Sequence, residues 1–373
     1  MMWLFWGAAG LIIYTYFAYP AWLWLRTQVR PEPTLKGAYS SPVSVVMTVC
    51  NEQAILEKKL QNLLELRYPT QYNEVVVVSD GSTDASNAIL QRFSGTGKVK
   101  AIFAPERRGK ASSLNAAIAA CAADLVVFTD ARQQIEPDAV LRLAENFTDP
   151  SVGCVSGELM LGDPAKGESG QGMGMYWRLE KKIREMESGS GSVVGATGAL
   201  YAVRRALLTP LPAGTILDDV FLPMQVARQG QRVLFEPRAR AWDSPDLGRE
   251  REFKRKVRTL SGNYQLVQLA PWLLRRENPL RFEFVSHKLL RLVVPFALLA
   301  MLIASFFLQG WFYRAALVAQ LIFYGLSALA LLDLKRGPIA RLADAASTFV
   351  VLNTAALVAF ANFVRGRKLE WVG

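Results

Sequence analysis

Hydropathy divides this chain before any motif is considered: one apolar run opens it, a long stretch of mixed character follows, and three apolar runs close it. Residues 3–25 are almost wholly apolar, rich in Trp and Tyr, and followed by Arg26 and Arg30. A bilayer-crossing helix needs about 20 such residues, with aromatic and basic side chains gathered at its ends. The run reads as a transmembrane helix; a leader peptide would show a basic start, a shorter apolar core and a small-residue cleavage site. Residues 289–308, 311–332 and 347–364 can each span as well, with Arg291, Pro295, Asn353 and Asn362 marking them as more than anchors. A 51% hydrophobic content and a positive mean hydropathy agree with a membrane component.

Between these runs the chain alternates short apolar stretches with helical patterns. Strands are expected at 44–49, 74–79, 99–103, 125–129, 152–157, 199–203 and 232–235, and helices at 52–66, 85–93, 110–122, 176–188 and 220–229. This is the α/β, doubly wound, mostly parallel (Rossmann-like) pattern. The expected domains are a membrane helix and linker at 1–30, a cytoplasmic α/β domain at 31–265, an amphipathic interfacial segment at 266–290, and a region of about three membrane segments at 291–373.

The formal charge of +11 suits nucleic acid, anionic lipid or a phosphorylated substrate. Its placement matters more. Residues 250–291 interleave basic and apolar side chains, including Lys254-Arg255-Lys256 and Arg275-Arg276, a pattern for the lipid headgroup layer. Membrane lipids are thus expected partners, and nucleic acid is not. Arg26 and Arg30, with Lys335, Arg336 and Arg341, place the large domain and a later loop in the cytoplasm, as in a multi-pass inner-membrane protein. Three later spans would then export Arg365, Arg367 and Lys368, so either the last segment is re-entrant or interfacial, or one span is miscounted.

Cys50, Cys121 and Cys154 are widely spaced and odd in number, which argues against a disulfide framework or zinc site. A single histidine, His287, excludes a multi-His metal centre, and its place beside a membrane helix argues against a Ser-His-Asp triad; it reads as an interfacial residue without a catalytic part. Carboxylates, Lys, Arg and a hard metal ion remain for chemistry.

The run Val75 to Val78 enters Ser79-Asp80-Gly81-Ser82-Thr83-Asp84, so a buried strand stops on an acid and a turn. Asp80 projects from the working edge of the sheet, or else Asp80 and Asp84 cap the loop. A second strand ends on Asp130, and between the two lies Arg107-Arg108-Gly109-Lys110 at a helix start. Two carboxylates beside a cationic loop suit a nucleoside diphosphate with Mg2+ or Mn2+. Asp218-Asp219 precedes another helix, as a cap or as a proton acceptor. Gly170 to Gly174 is glycine-rich but lacks the dinucleotide spacing and reads as a loop, whereas Tyr176, Trp177 and Glu180 share a helical face.

Together, Thr48-Val49-Cys50-Asn51-Glu52, Ser79 to Asp84, Gly109-Lys110 with Leu114-Asn115, Thr129-Asp130-Ala131, Gly198-Ala199 and Asp218-Asp219 resemble the ordered motifs of membrane-embedded family 2 glycosyltransferases, such as cellulose, chitin, hyaluronan and poly-N-acetylglucosamine synthases. The resemblance implies a GT-A fold, a UDP-sugar donor, a divalent metal and inversion at the anomeric carbon. It implies that Glu52 and Asp80 contact the nucleoside, Lys110 the uracil or phosphates, Asp130 the metal, and that Asp219, beside Asp218, is the general base. Trp177, Gly198 and Ala199 would meet the acceptor.

Two departures qualify it. The second acid of the family's Asp-x-Asp is Arg132, which reads equally as facing the diphosphate or covering the surface. In place of Gln-x-x-Arg-Trp the chain has Arg255-Lys256-Val257-Arg258-Thr259, keeping Arg258, with Arg255, for the diphosphate and losing the aromatic surface. The function implied is transfer of sugar to a growing polysaccharide or lipid-linked glycan, with export and envelope accessory subunits compatible. Addition of one sugar to a lipid or polyprenyl-phosphate acceptor is the alternative, and a non-catalytic nucleotide or anion receptor the alternative outside enzymes.

Overall fold

The structure, a computed structural model, describes residues 1–68, 73–162, 175–243, 248–330 and 337–367. Among the described residues, eight strands form one sheet: β1 (Val43–Val49), β2 (Asn73–Asp80), β3 (Val99–Ala104), β4 (Leu125–Phe128), β5 (Gln134–Ile135), β6 (Val152–Leu161), β7 (Tyr201–Arg204) and β8 (Arg232–Asp243). Their order is β3-β2-β1-β4-β7-β6-β8-β5. β1, β2, β3 and β4 are mutually parallel, as are β6 and β8, while β7 and β5 run against their neighbours. Every expected strand is present. The antiparallel β7 and the short β5 were not expected.

Around the sheet lie α1 (Met2–Ile13), α2 (Tyr19–Val29), α3 (Gln53–Leu64), α4 (Ser86–Ser94), α5 (Lys110–Ala120), α6 (Ala139–Ala144), α7 (Met175–Gly189), α8 (Asp218–Arg228), α9 (Arg249–Leu269), α10 (Arg281–Glu283), α11 (Leu290–Phe307), α12 (Trp311–Leu329) and α13 (Pro338–Val364). The β-branched strand residues divide by parity. Val45, Met47, Val75, Val77 and Val127 join Leu56, Leu60 and Leu63 of α3 on one face. Val46, Val76, Val78, Val126 and Phe128 join Leu114 of α5 and Val220, Met224 of α8 on the other. Burial on both faces is why these strands read as continuous apolar runs.

Among the described residues, four helical stretches are long and apolar enough to cross a membrane: 2–29, 281–307, 311–329 and 338–364. α1 packs along α11, and α12 along α13. The first part of the 250–291 basic stretch is one helix, Arg249–Leu269, unbroken at residue 265, and short helical turns at 271–274 and 281–283 follow it. Phe253, Val257, Leu260 and Tyr264 form a stripe at helical spacing against Ala355 and Ala359 of α13. Tyr264 stacks on Phe363 at 5.1 Å. That stripe fixes the rotation of α9 and leaves Arg255 and Arg258 off the membrane-helix contact. All three cysteines are buried and free, as expected.

Candidate active site

Register brings the acids together. Val49 at the end of β1 lies beside Ser79 of β2, and Val46 beside Phe128 of β4, so Glu52, Asp80 and Asp130 leave the sheet at one edge. β7 runs the opposite way with Tyr201 beside Phe128, which brings Gly198 and Ala199 to the same edge. Crevices outside strand carboxyl ends are where open α/β sheets bind ligands.

The loops after β1 and β2 are stitched to each other. Asn51, at φ 57, accepts the Thr83 amide at its Oδ1 (2.8 Å). The Gln53 amide donates to Asp84 Oδ2 (3.0 Å), and the Ser86 amide to Asp84 Oδ1 (2.9 Å), so Asp84 is a cap. Burial of Glu52 raises its carboxyl; the Arg132 charge opposes this, and Asp130 and Asp84 add to it.

Asp80 is fully buried, and its two oxygens accept the backbone amides of Arg108 and Gly109, each at 2.8 Å. As placed, it orders the loop that carries Lys110 and presents no exposed surface to a nucleoside. Gly81 allows this, because a Cβ at its φ of +64° would stand 2.5 Å from the Arg107 nitrogen.

Lys110 opens α5 and lies between two acids, 2.9 Å from Asp130 Oδ1 and 3.1 Å from Asp218 Oδ1. Burial alone would favour the neutral amine. The attraction of Asp130 and Asp218 outweighs it and raises the lysine above its ordinary range. Asp218 is buried, whereas the Asp130 side chain keeps 41% of its exposure. Asp130 therefore still faces the crevice.

Asp219, in the first turn of α8, accepts the Gly198 amide at Oδ2 (3.1 Å), and its carbonyl accepts the Ala196 amide (2.6 Å). A helix N-terminus ordinarily lowers a carboxyl pKa. Here burial foremost, then the charges of Asp218 and Asp130, push it up to about 6, with Lys110 opposing. A Cβ on Gly198 would stand 3.2 Å from Asp219 Oδ2 and 3.6 Å from Asp130 Oδ2. The glycine thus separates the two carboxylates by little more than its own backbone.

Arg258 projects from α9 toward the same acids. Burial lowers its pKa against the charges of Asp218, Asp130 and Asp219, and its Nε is buried without a hydrogen bond among the described residues. Such an atom calls for an acceptor.

Three assignments change. Arg255 is not held toward a donor: it pairs with Asp243 (3.3 Å) and Glu252 (3.9 Å). Arg132 pairs with the same buried Asp243 at 2.6 Å while its side chain stays 33% exposed, so its guanidinium is already engaged by a carboxylate of the protein. Ala199 is 4% exposed in the core, its carbonyl accepting the Thr129 hydroxyl (2.9 Å), and cannot offer a side chain to an acceptor. Trp177 stays partly exposed on the first turn of α7. Gly170 to Met173 and Gly174 lie outside the described residues.

The sequence reading missed Lys59, which looks like any solvated helix lysine. It is 2% exposed and donates to the Thr129 hydroxyl (3.0 Å) and the Gln133 carbonyl (2.5 Å), bracing the turn that carries Asp130. Burial lowers its pKa to about 7 against the pull of Asp130. It missed His287 too. The ring is 1% exposed, with Nδ1 2.8 Å from Glu187 Oε1 and Nε2 2.9 Å from Glu180 Oε1.

Residues 44–210 match the family model described as Glycosyl transferase family 2. The chain is 23% identical over 239 residues to poly-beta-1,6-N-acetyl-D-glucosamine synthase of Staphylococcus epidermidis, covering 62% of this chain and 56% of that protein. It is 26% identical over 234 residues to beta-monoglucosyldiacylglycerol synthase of Synechocystis, covering 60% and 48%. It spans about half the length of these curated relatives. A mannosyltransferase from Pyrobaculum calidifontis, solved in complex with GDP-Man and Mn2+, superposes with a TM-score of 0.73 at 23% identity, covering 98% of this chain and 99% of that one. The fold is therefore of the GT-A kind, shared over nearly the whole chain, long apolar helices included.

Proposed function

Because residues 44–210 are a family 2 glycosyltransferase domain, we propose that the chain transfers a sugar, with inversion, from a UDP-sugar to a growing polysaccharide or lipid-linked glycan at the inner membrane, its α/β domain on the cytoplasmic side. The observation that carries this is the pairing of a raised carboxyl, Asp219, with a cation-lined acidic edge across Gly198.

Asp219 accepts the proton of the acceptor hydroxyl as that oxygen bonds to the anomeric carbon; the bond to the diphosphate oxygen breaks and its electron pair leaves with UDP. Its Oδ2 is held by the Gly198 amide, and a pKa near 6 leaves it ionised at neutral pH yet basic enough to act. Lys110 and Arg258 face the charge that develops on the diphosphate. Glu52 borders the nucleoside end, Asp80 holds the Lys110 loop, and Trp177 and Gly198 border the acceptor.

Among the described residues no three acidic, His or Cys side chains gather as a metal cage. Asp130, half exposed, fits an ion shared with the diphosphate, the usual manner of Mg2+. Mg2+ or Mn2+ held there would neutralise leaving-group charge. UDP release by the full chain in nanodiscs, assayed across UDP-sugars with and without EDTA, tests the reading; absence of turnover with every donor contradicts it.

A specific observation favours a second reading, transfer of one sugar to a lipid. Thr259, where processive synthases place Trp, is exposed and offers no stacking surface, and one relative is named for a glycolipid product.

Two outcomes follow for the base. With Asp219 titrating near 6 and active when ionised, kcat/KM is flat above pH 7 and falls about tenfold per pH unit below about 6; a profile flat to pH 5 contradicts the assignment. Gly198→Ala displaces the Asp219 carboxylate by a few tenths of an ångström, so kcat drops about tenfold with UDP affinity and thermal midpoint unchanged.

A further inference from the structure

Both departures from the family pattern end on one carboxylate. Arg132 stands where the second acid of Asp-x-Asp would be, and Arg255 where the glutamine of Gln-x-x-Arg-Trp would be. Far apart in sequence, the two meet at Asp243: Arg132 Nη2 is 2.6 Å and Arg255 Nη1 3.3 Å from its Oδ2. Gln133 Nε2 donates to the same oxygen at 3.3 Å. Glu252, on the same helix as Arg255, is farther from it, at 3.9 Å. Asp243 is buried, with the two arginines partly exposed at its rim. A carboxylate taken out of water needs such partners to stay charged.

Asp243 is itself fixed by the sheet. It ends β8 beside Leu161 of β6, and its carbonyl accepts the Gly162 amide (3.0 Å). On the other edge of β8, Ala241 and Trp242 lie beside Ile135 and Gln134 of β5. The turn from Asp130 to Gln133 is therefore held twice: by Lys59, through the Thr129 hydroxyl and the Gln133 carbonyl, and by Asp243, through the side chains of Arg132 and Gln133. On α9, Arg255 lies nearly opposite the stripe of Phe253, Val257, Leu260 and Tyr264 that meets α13. Asp243 thus ties down the face of α9 turned away from α13. Arg258 follows about one turn further along the same helix.

We infer that Asp243 is a positioning residue of the donor site: by clasping Arg132 and Arg255 together, it sets the separation between Asp130 on its turn and Arg258 on α9. The inference rests on the transferase reading and explains how two groups carried by distant parts of the chain come to face one diphosphate. Neither clasped arginine has to touch the donor. Each departure puts a cation where the family pattern has none, and one shared anion compensates both. Asp219, held by the Ala196 and Gly198 amides, lies outside this clasp.

The test is calorimetric binding of UDP with Mn2+ to the full chain in nanodiscs, beside thermal midpoints and the pH profile of kcat/KM. Asp243→Asn keeps an oxygen for the three donors and removes the charge. It is expected to weaken UDP binding about tenfold, since misplacing a positioning group by about 1 Å has effects of that order or more. The acidic limb of the profile, which belongs to Asp219, is expected to stay where it is in wild type. Arg132→Gln and Arg255→Gln are expected to weaken UDP by a similar factor, because losing either end breaks the link. Combined with each other or with Asp243→Asn, they are expected to add nothing further. A lower midpoint with UDP affinity within about twofold of wild type overturns the positioning role, as do losses that add fully. If Asp243→Asn does not fold, the two arginine variants and their double decide by the same rule. A wild type that binds no UDP removes the transferase reading, and the clasp is then judged by midpoints: non-additive changes in the arginine variants keep it, and additive ones overturn it. UDP binding that is indifferent to all three substitutions keeps the transferase reading and removes the clasp.

Discussion

Replacing Asp219 by Asn is expected to lower kcat about a thousandfold or more while leaving UDP-sugar affinity within a few-fold of wild type. The amide keeps the shape and can turn its oxygen toward the Gly198 amide, so the loop from Ala196 to Gly198 stays in place. What it loses is a lone pair basic enough to take a proton. A positioned general base contributes about 10²- to 10⁴-fold, and neither neighbouring acid is placed to substitute: Asp218 is buried against Lys110 and Tyr201, and Asp130 is ion-paired to Lys110. Calorimetric donor binding beside single-turnover UDP release separates the two quantities. Turnover within tenfold of wild type would remove Asp219 from the reaction.

Lys110→Met has the second large effect and a different signature. The methionine fills the space but leaves Asp130 and Asp218 facing each other and takes from Asp219 the larger of the cationic charges that hold its carboxyl down. Removing one partner of a buried pair costs about 3–5 kcal/mol. The exposure of Asp130 to solvent places the expected cost at the lower end. The thermal midpoint should fall, donor affinity should fall with it, and the acidic limb of any residual activity should move to higher pH because Lys110 holds the Asp219 pKa down. Lys110→Arg keeps the charge and should recover much of the stability with little of the rate. A midpoint unchanged in Lys110→Met would show that the lysine is not what compensates these acids.

The acid-ended strands were legible because buried parallel strands advertise themselves. Val75 to Val78 are apolar on both faces, and a carboxylate after such a run has only the sheet edge to occupy. The long apolar helices were legible from length and hydropathy alone. Pairing direction was not: nothing in Tyr201 to Arg204 distinguishes a strand antiparallel to β4 from a parallel one, since the partner is distant in sequence. β5 has two residues, too few to carry a period.

Site roles split along the same line. A residue's letter reveals its chemistry but not its neighbours. Asp80 and Asp130 look alike at strand ends, yet one is spent on backbone amides and the other remains half exposed. Arg255 and Arg258 sit three apart on α9; the stripe facing α13 sends one to Asp243 and the other toward Asp218, Asp130 and Asp219. Lys59 and His287 were hidden because burial, not spacing, makes them matter. The apolar stripe Phe253, Val257, Leu260 and Tyr264 was present in the sequence, but the helix it faces was not.

The central claim is that Asp130, Lys110, Arg258 and Asp219 border one donor pocket at the sheet edge. A cryo-electron microscopy structure of the full chain in nanodiscs with UDP and Mn2+ tests it most directly. The account predicts the diphosphate between Lys110 and Arg258, metal density at Asp130, and the Asp219 carboxylate open across Gly198. UDP bound at any other edge of the sheet, or with its diphosphate away from these four side chains, would contradict it.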